Sequence, residues 1–161
     1  MKTLFHFFNF STALILASIA AFAQDAEIPT EVSEPPYKVG DLVVEQGYYI
    51  DRGVENPKIN FRFVENRIRI YWIDANGLIV EPESSTATVR FTGSVRGRAY
   101  HGLKLLPSNA GLGSAGVVVP PHLYNVILVF PAKNGGEPTT HSFRFTPSMD
   151  VPVDPTADPK S

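Results

Sequence analysis

Apolar residues recur at every second position from Ile59 to Phe63 and again from Ile68 to Trp72, and nothing else in the chain constrains its fold as strongly. A strand points successive side chains to opposite faces, whereas a helix repeats every 3.6 residues, so these stretches gather one apolar stripe only as strands. Arg62, Arg67 and Arg69 fall on the opposite phase. Glu65-Asn66 separates the two runs, and Asn tolerates the positive φ of a tight turn, which predicts a hairpin with one apolar face.

The rest of the chain repeats this pattern. Asn76-Gly77 marks a second reversal, and a third strand follows with Val89 and Phe91 inward and Thr88, Arg90 and Thr92 outward. Leu103 to Leu106 and Val117 to Val119 are short apolar runs separated by a Gly-rich loop. Leu123 to Phe130 is apolar on both faces, as a central strand is. Asn134-Gly135-Gly136 then turns the chain into His141, Phe143 and Phe145, a last hairpin. With Gly47 to Arg52 as an opening strand, seven or eight short strands are expected, and no window longer than a turn holds a helical period. The expected fold is all-β: a single immunoglobulin-like antiparallel β-sandwich. One tryptophan on an early strand without a cysteine pair resembles immunoglobulin-like modules in architecture, and architecture carries no function.

The ends have a different character. Met1-Lys2, the mostly apolar run Phe10 to Phe22 and Ala21-Phe22-Ala23 have the layout of a cleavable secretory signal over residues 1–23, leaving Gln24 first. The apolar run is shorter than the roughly 20 residues that span a bilayer, so no membrane attachment is expected after cleavage. Residues 24–38 read as a disordered acidic leader, residues 39–146 as the folded domain, and residues 147–161 as a disordered Pro/Asp tail. The chain contains no cysteine, which excludes disulfides, thiolate metal sites and a lipid-bearing cysteine. Charge is split: residues 24–60 hold eight acids and three bases, while residues 61–146 hold nine bases and five acids.

That basic excess supplies the first candidate site. Arg62, Arg67, Arg69, Arg90 and Arg144 all oppose the apolar phase of their strands, and Arg96 and Arg98 flank Gly97 in a loop. If the strands share a sheet, several guanidinium groups line one wet face suited to an acidic polymer, an exported partner protein or the acidic leader itself. Outward charges also serve simply to keep sheets from pairing edge to edge. Nucleic acid is excluded as a partner by the net acidic, exported character of the mature chain.

His101, His122 and His141 form a second candidate set, able to hold copper or zinc if the fold gathers them, with Met149 as a further soft ligand. Their spacing has no local pairing. Gly111-Leu-Gly113-Ser-Ala-Gly116 matches a dinucleotide fingerprint in letters, but Val117-Val-Val-Pro120-Pro121 cannot open the helix that fingerprint needs, so it reads as a flexible loop and no cofactor is expected. Ser108 and Ser114 lack a nucleophile elbow. Glu81 and Glu83 lie two apart as possible paired carboxylates, and Asp74-Ala-Asn76-Gly77 lacks the remaining spacing of a calcium loop. The reading is an exported soluble binding or accessory module rather than an enzyme, with a metal-handling accessory and a hydrolase of unlocated site as alternatives.

Overall fold

Nine strands form among the described residues, which are 36–92, 99–132 and 135–152 of the computed structural model. They are β1 (Tyr48–Ile50), β2 (Lys58–Val64), β3 (Arg67–Ile73), β4 (Ile79–Val80), β5 (Thr86–Thr92), β6 (Ala99–Leu105), β7 (Gly111–Val117), β8 (Tyr124–Phe130) and β9 (Thr139–Phe145). The expected signal, the leader as far as residue 35, the loop of Arg96 and Arg98, and the tail from residue 153 lie outside the described residues. No helix among the described residues is long and apolar enough to cross a membrane.

All pairings are antiparallel, and the hydrogen-bonded order is β1-β2-β3-β7-β6-β5-β8-β9, with β4 against the end of β3. One continuous sheet, nearly closed into a barrel, thus takes the place of the two stacked sheets expected from strand spacing. Curling lets one sheet enclose its own apolar face. At the seam, Tyr48 of β1 stacks on Phe143 of β9 with ring centroids 4.3 Å apart.

The expected hairpin is β2 and β3, joined by Glu65 (φ 49°) and Asn66 (φ 58°), with Val64 opposite Arg67 and Phe61 opposite Ile70. Both turn residues are left-handed, the geometry that matches strand twist. Register then fixes the interior: Ile59, Phe61, Phe63, Ile68, Ile70, Trp72, Val89, Phe91, Leu128 and Phe145 are buried together. Each such side chain contributes about 1.5–3 kcal/mol. Rings meet edge to face, as Phe61 and Phe63 do at 5.5 Å.

Two expectations are corrected by the strands. The Gly-rich stretch is no loop: it is β7, hydrogen-bonded between β3 and β6. Its glycines permit close approach, since a Cβ on Gly111 would collide with the Ile70 carbonyl and one on Gly113 would press on the Arg69 guanidinium. Where the β3–β7 register slips, the Ser114 hydroxyl accepts the Ile68 N–H at 3.0 Å and donates to the Gly116 carbonyl at 2.9 Å. The stretch Leu123 to Phe130 is next to the edge, between β5 and β9, rather than central.

The domain also extends past both expected boundaries. Pro147–Asp150 form a single 3-10 turn whose Met149 carbonyl accepts the Gly47 N–H at 2.8 Å. Tyr37, expected in the leader, is buried edge to face on Tyr71 at 5.7 Å. Together with Val43 it covers the outside of β3, where Tyr71, Ile73, Ile79 and Ala110 make a second apolar cluster.

Candidate functional site

Arg52 follows β1 and is presented by a turn in which the Gly53 N–H donates to the Asp51 carboxylate at 2.9 Å and the Asn56 amide donates to the Arg52 carbonyl at 3.1 Å. Gly53 has φ 88°, a conformation that suits glycine. Glu83 and Ser84 lie in the link between β4 and β5. Trp72 sits on the inner face of β3, opposite Ile59 and Val80, and Phe130 and His141 come from β8 and β9. These residues line a cavity of about 210 Å³ whose rim includes the exposed Glu137 and Thr139.

The electrostatics of this cavity are distinctive. Arg52 engages both oxygens of Glu83 through its two terminal nitrogens, a bidentate fork. Its Nε is left buried without a hydrogen-bond partner, and so are Trp72 Nε1 and His141 Nε2. Five buried side-chain atoms lack partners among the described residues, and three of them belong to residues of this one cavity. The other two are Arg90 Nε and Asp150 Oδ1. Burial, and then the positive charge of Arg52, hold the His141 pKa below the ordinary histidine value, so the ring is neutral at pH 7. A neutral imidazole offers one donor and one acceptor nitrogen.

The expected arginine face does not assemble as one surface. Arg62 is fully buried, which corrects the expectation that it faces water. Its Nε donates to Asn60 Oδ1 at 2.6 Å, Nη2 donates to the Val44 carbonyl at 2.9 Å, and the guanidinium lies 5.6 Å from the Tyr71 ring centroid. Arg69, directly opposite Arg62, is half-buried and lines an outer groove of about 260 Å³ with Tyr37, Tyr71 and Leu106. Arg67 is exposed at the hairpin. Arg90 lies on β5, with β7 and β6 between it and β3, about 14 Å at ordinary strand spacing, and Arg144 lies exposed on β9, the strand that meets β1 at the seam.

The histidines do not converge either. His101 packs against Phe91 at 5.4 Å, where burial lowers its pKa. His122 stacks on Phe63 at 3.9 Å, with Nδ1 2.8 Å from Asp150 Oδ2 and Nε2 2.9 Å from the Val118 carbonyl. His141 alone reaches the cavity. No group of three or more His, Cys, Asp or Glu that could hold a metal occurs among the described residues.

Of the residues singled out in the sequence, only His141 and Glu83 line the cavity; Arg52, Trp72 and Phe130 carried no motif. No local signal links positions 52, 72, 83, 130 and 141, since they lie on links and on strands of which β3 pairs with neither β8 nor β9, and they meet only when the sheet curls. Asp74 proves to be a turn residue, its carboxylate accepting the Asn76 and Leu78 N–H groups at 2.8 and 2.9 Å. A scan against protein-family models and searches of curated proteins and of solved structures find no match to this chain.

Proposed function

We propose that this protein is an exported, non-enzymatic binding module whose ligand site is the cavity ringed by Arg52, Trp72 and His141. One observation carries the reading: three buried nitrogens without partners belong to residues lining the same space. An unmet buried polar group costs about 1–3 kcal/mol, so a small side-chain movement that brings these nitrogens to a ligand oxygen recovers energy that the empty protein forgoes. Glu83 holds the Arg52 guanidinium in place before a ligand arrives.

Binding fits the cavity better than catalysis. The Ser84 hydroxyl donates to the Thr86 carbonyl at 2.7 Å, Glu83 is engaged with Arg52, and His141 Nε2 has no partner, so no nucleophile and base are coupled among the described residues lining the cavity. Export rests on Met1-Lys2, the apolar run to Phe22 and Ala21-Phe22-Ala23.

Trp72 is the sole tryptophan, so intrinsic fluorescence reports on the cavity directly. Small molecules grouped as hydroxyl, carbonyl, carboxylate and ammonium compounds should be titrated into the mature chain while emission and Tm are followed. At least one acceptor-bearing group is expected to shift Trp72 emission saturably and raise Tm, with the effect reduced about tenfold in Trp72→Phe when read by calorimetry. No saturable response in any group up to millimolar concentrations overturns the reading.

A further inference from the structure

The outer face of β3 carries a cation to which the barrel supplies no counter-ion among the described residues. Arg69 is half-buried, and its one hydrogen bond among them runs from Nη1 to the Ile68 carbonyl at 3.2 Å. No carboxylate among them pairs with it, and none of its nitrogens is closed off from solvent without a partner, so Nε and Nη2 stay accessible. Those two nitrogens form one edge of the guanidinium, which matches the two oxygens of a carboxylate. Gly113, directly opposite on β7, makes room for the group: a Cβ there would fall 2.8 Å from Arg69 Nη1 and 2.6 Å from Leu106 Cδ2.

Arg69 lines the outer groove of about 260 Å³, which shares no lining residue with the Arg52–Trp72 cavity. Its walls are the apolar side chains of Pro36, Val64, Leu106 and Pro107 and the phenol rings of Tyr37 and Tyr71, and Ser108 adds a hydroxyl. The surrounding charge is positive. On β3, β7, β6 and the turns that follow β2 and β6, the described charged side chains are Arg67, Arg69 and Lys104 against Glu65, which is exposed at the hairpin. Residues 36–43 add Lys38 and Asp41, which offset each other. An anion approaching this groove is therefore drawn in, and it meets a guanidinium edge set among apolar walls.

We propose that this groove is a second binding site, which takes a small organic acid: one carboxylate carried on a single apolar ring or branched chain. The carboxylate engages the Nε–Nη2 edge of Arg69, and the apolar body lies against Tyr37, Tyr71 and Leu106. A half-buried guanidinium has given up part of its water without gaining a counter-ion, and a bound carboxylate supplies one. A phosphate dianion suits the groove less, because one guanidinium edge and the Ser108 hydroxyl satisfy only part of its oxygens while the apolar walls remove its water. The groove volume lies below the roughly 300 Å³ at which drug-sized sites begin, which limits the body to about one ring.

The test is calorimetric titration of the full mature chain with benzoate, cyclohexanecarboxylate, acetate, benzamide, phosphate and oligogalacturonate, while the Arg69 Nε–H resonance is followed in proton–nitrogen correlation spectra. Benzoate or cyclohexanecarboxylate is expected to bind saturably and to move that resonance. Acetate, which lacks the apolar body, and benzamide, which lacks the charge, should each bind about tenfold more weakly. Arg69→Lys, which keeps the charge and loses the two-nitrogen edge, should weaken benzoate about tenfold. Gly113→Ala, which keeps the arginine and fills the space beside it, should weaken benzoate about threefold. Trp72→Phe should leave the affinity unaltered, because the groove is separate from the Arg52–Trp72 cavity. Equal affinity for benzoate and benzamide, an Arg69 resonance unmoved at saturation, or full affinity in Arg69→Lys overturns the proposal. Binding of phosphate or oligogalacturonate in place of the small acids overturns it as well. Silence from every compound also overturns it and leaves the Arg52–Trp72 cavity untouched, since Trp72 emission reads that site independently.

Discussion

The β2–β3 hairpin and the β8–β9 hairpin begin from the same alternation and end in opposite environments. In β2 every residue from Ile59 to Val64 is buried, including Asn60 and Arg62 on the outer phase, because Gln46 and Val44 of the preceding segment cross over them. In β9 the outer phase of Thr140, Ser142 and Arg144 is exposed. Alternation thus determines which side chains share the barrel interior, and chain from elsewhere decides whether the second face stays wet. Arg62 on the covered side is a buried charge satisfied by amide and carbonyl oxygens, while Arg144 on the open side is an ordinary surface arginine.

The contrast is broken most forcefully at those two arginines. Arg62→Ala strands the Asn60 and Val44 oxygens and empties a buried volume, and should lower unfolding free energy by about 3–5 kcal/mol. Arg144→Ala should stay within about 0.5 kcal/mol. Urea midpoints of the two variants compare them directly, and equal losses would remove the distinction between the covered and open halves.

A smaller difference is expected at two glycines with left-handed backbone. Gly47 (φ 83°) lies under β2, where a Cβ would collide with the Phe61 carbonyl and the Arg62 Cβ; Gly135 (φ 76°), between β8 and β9, has nothing within 4 Å of that position. Gly47→Ala should therefore cost about 2–4 kcal/mol, combining backbone strain with crowding. Gly135→Ala should cost about 1 kcal/mol, the backbone contribution alone. Thermal unfolding of the pair measures the crowding by difference.

The smallest effects are in pH, and they have opposite signs on the two halves. Burial keeps His141 of β9 below the usual histidine value of 6.5. The unfolded chain then takes up the proton first, so stability is full above pH 6.5 and declines as pH falls toward the folded value; His141→Gln should flatten that acid slope. Tyr49, beneath the covering segment, is raised above the usual 10.0, chiefly by burial, with Arg62 acting against the rise. Here the unfolded chain loses its proton first, so stability is full below pH 10 and declines as pH climbs through the folded value, a slope that Tyr49→Phe should remove. Denaturant midpoints from pH 5 to 11 read both limbs.

The amino-acid sequence by itself determined whatever depends on near neighbours: a period of two that makes strands, left-handed residues at 65 and 66 that close a hairpin, and the inward positions of Phe61, Trp72, Phe91 and Phe143. It also singled out His141 and Glu83, without placing them together. Tertiary structure decided that one curled sheet replaces two stacked ones, that the glycines from 111 to 116 form a strand, that Arg62 is dry, and that Arg52, Trp72, Glu83 and His141 surround one cavity. The physical reason is range. A turn or an alternating face is set by torsions and neighbours within a few residues, whereas burial of a second face and the convergence of a site depend on elements far apart in the chain, 89 positions from Arg52 to His141, that meet only when the sheet curls.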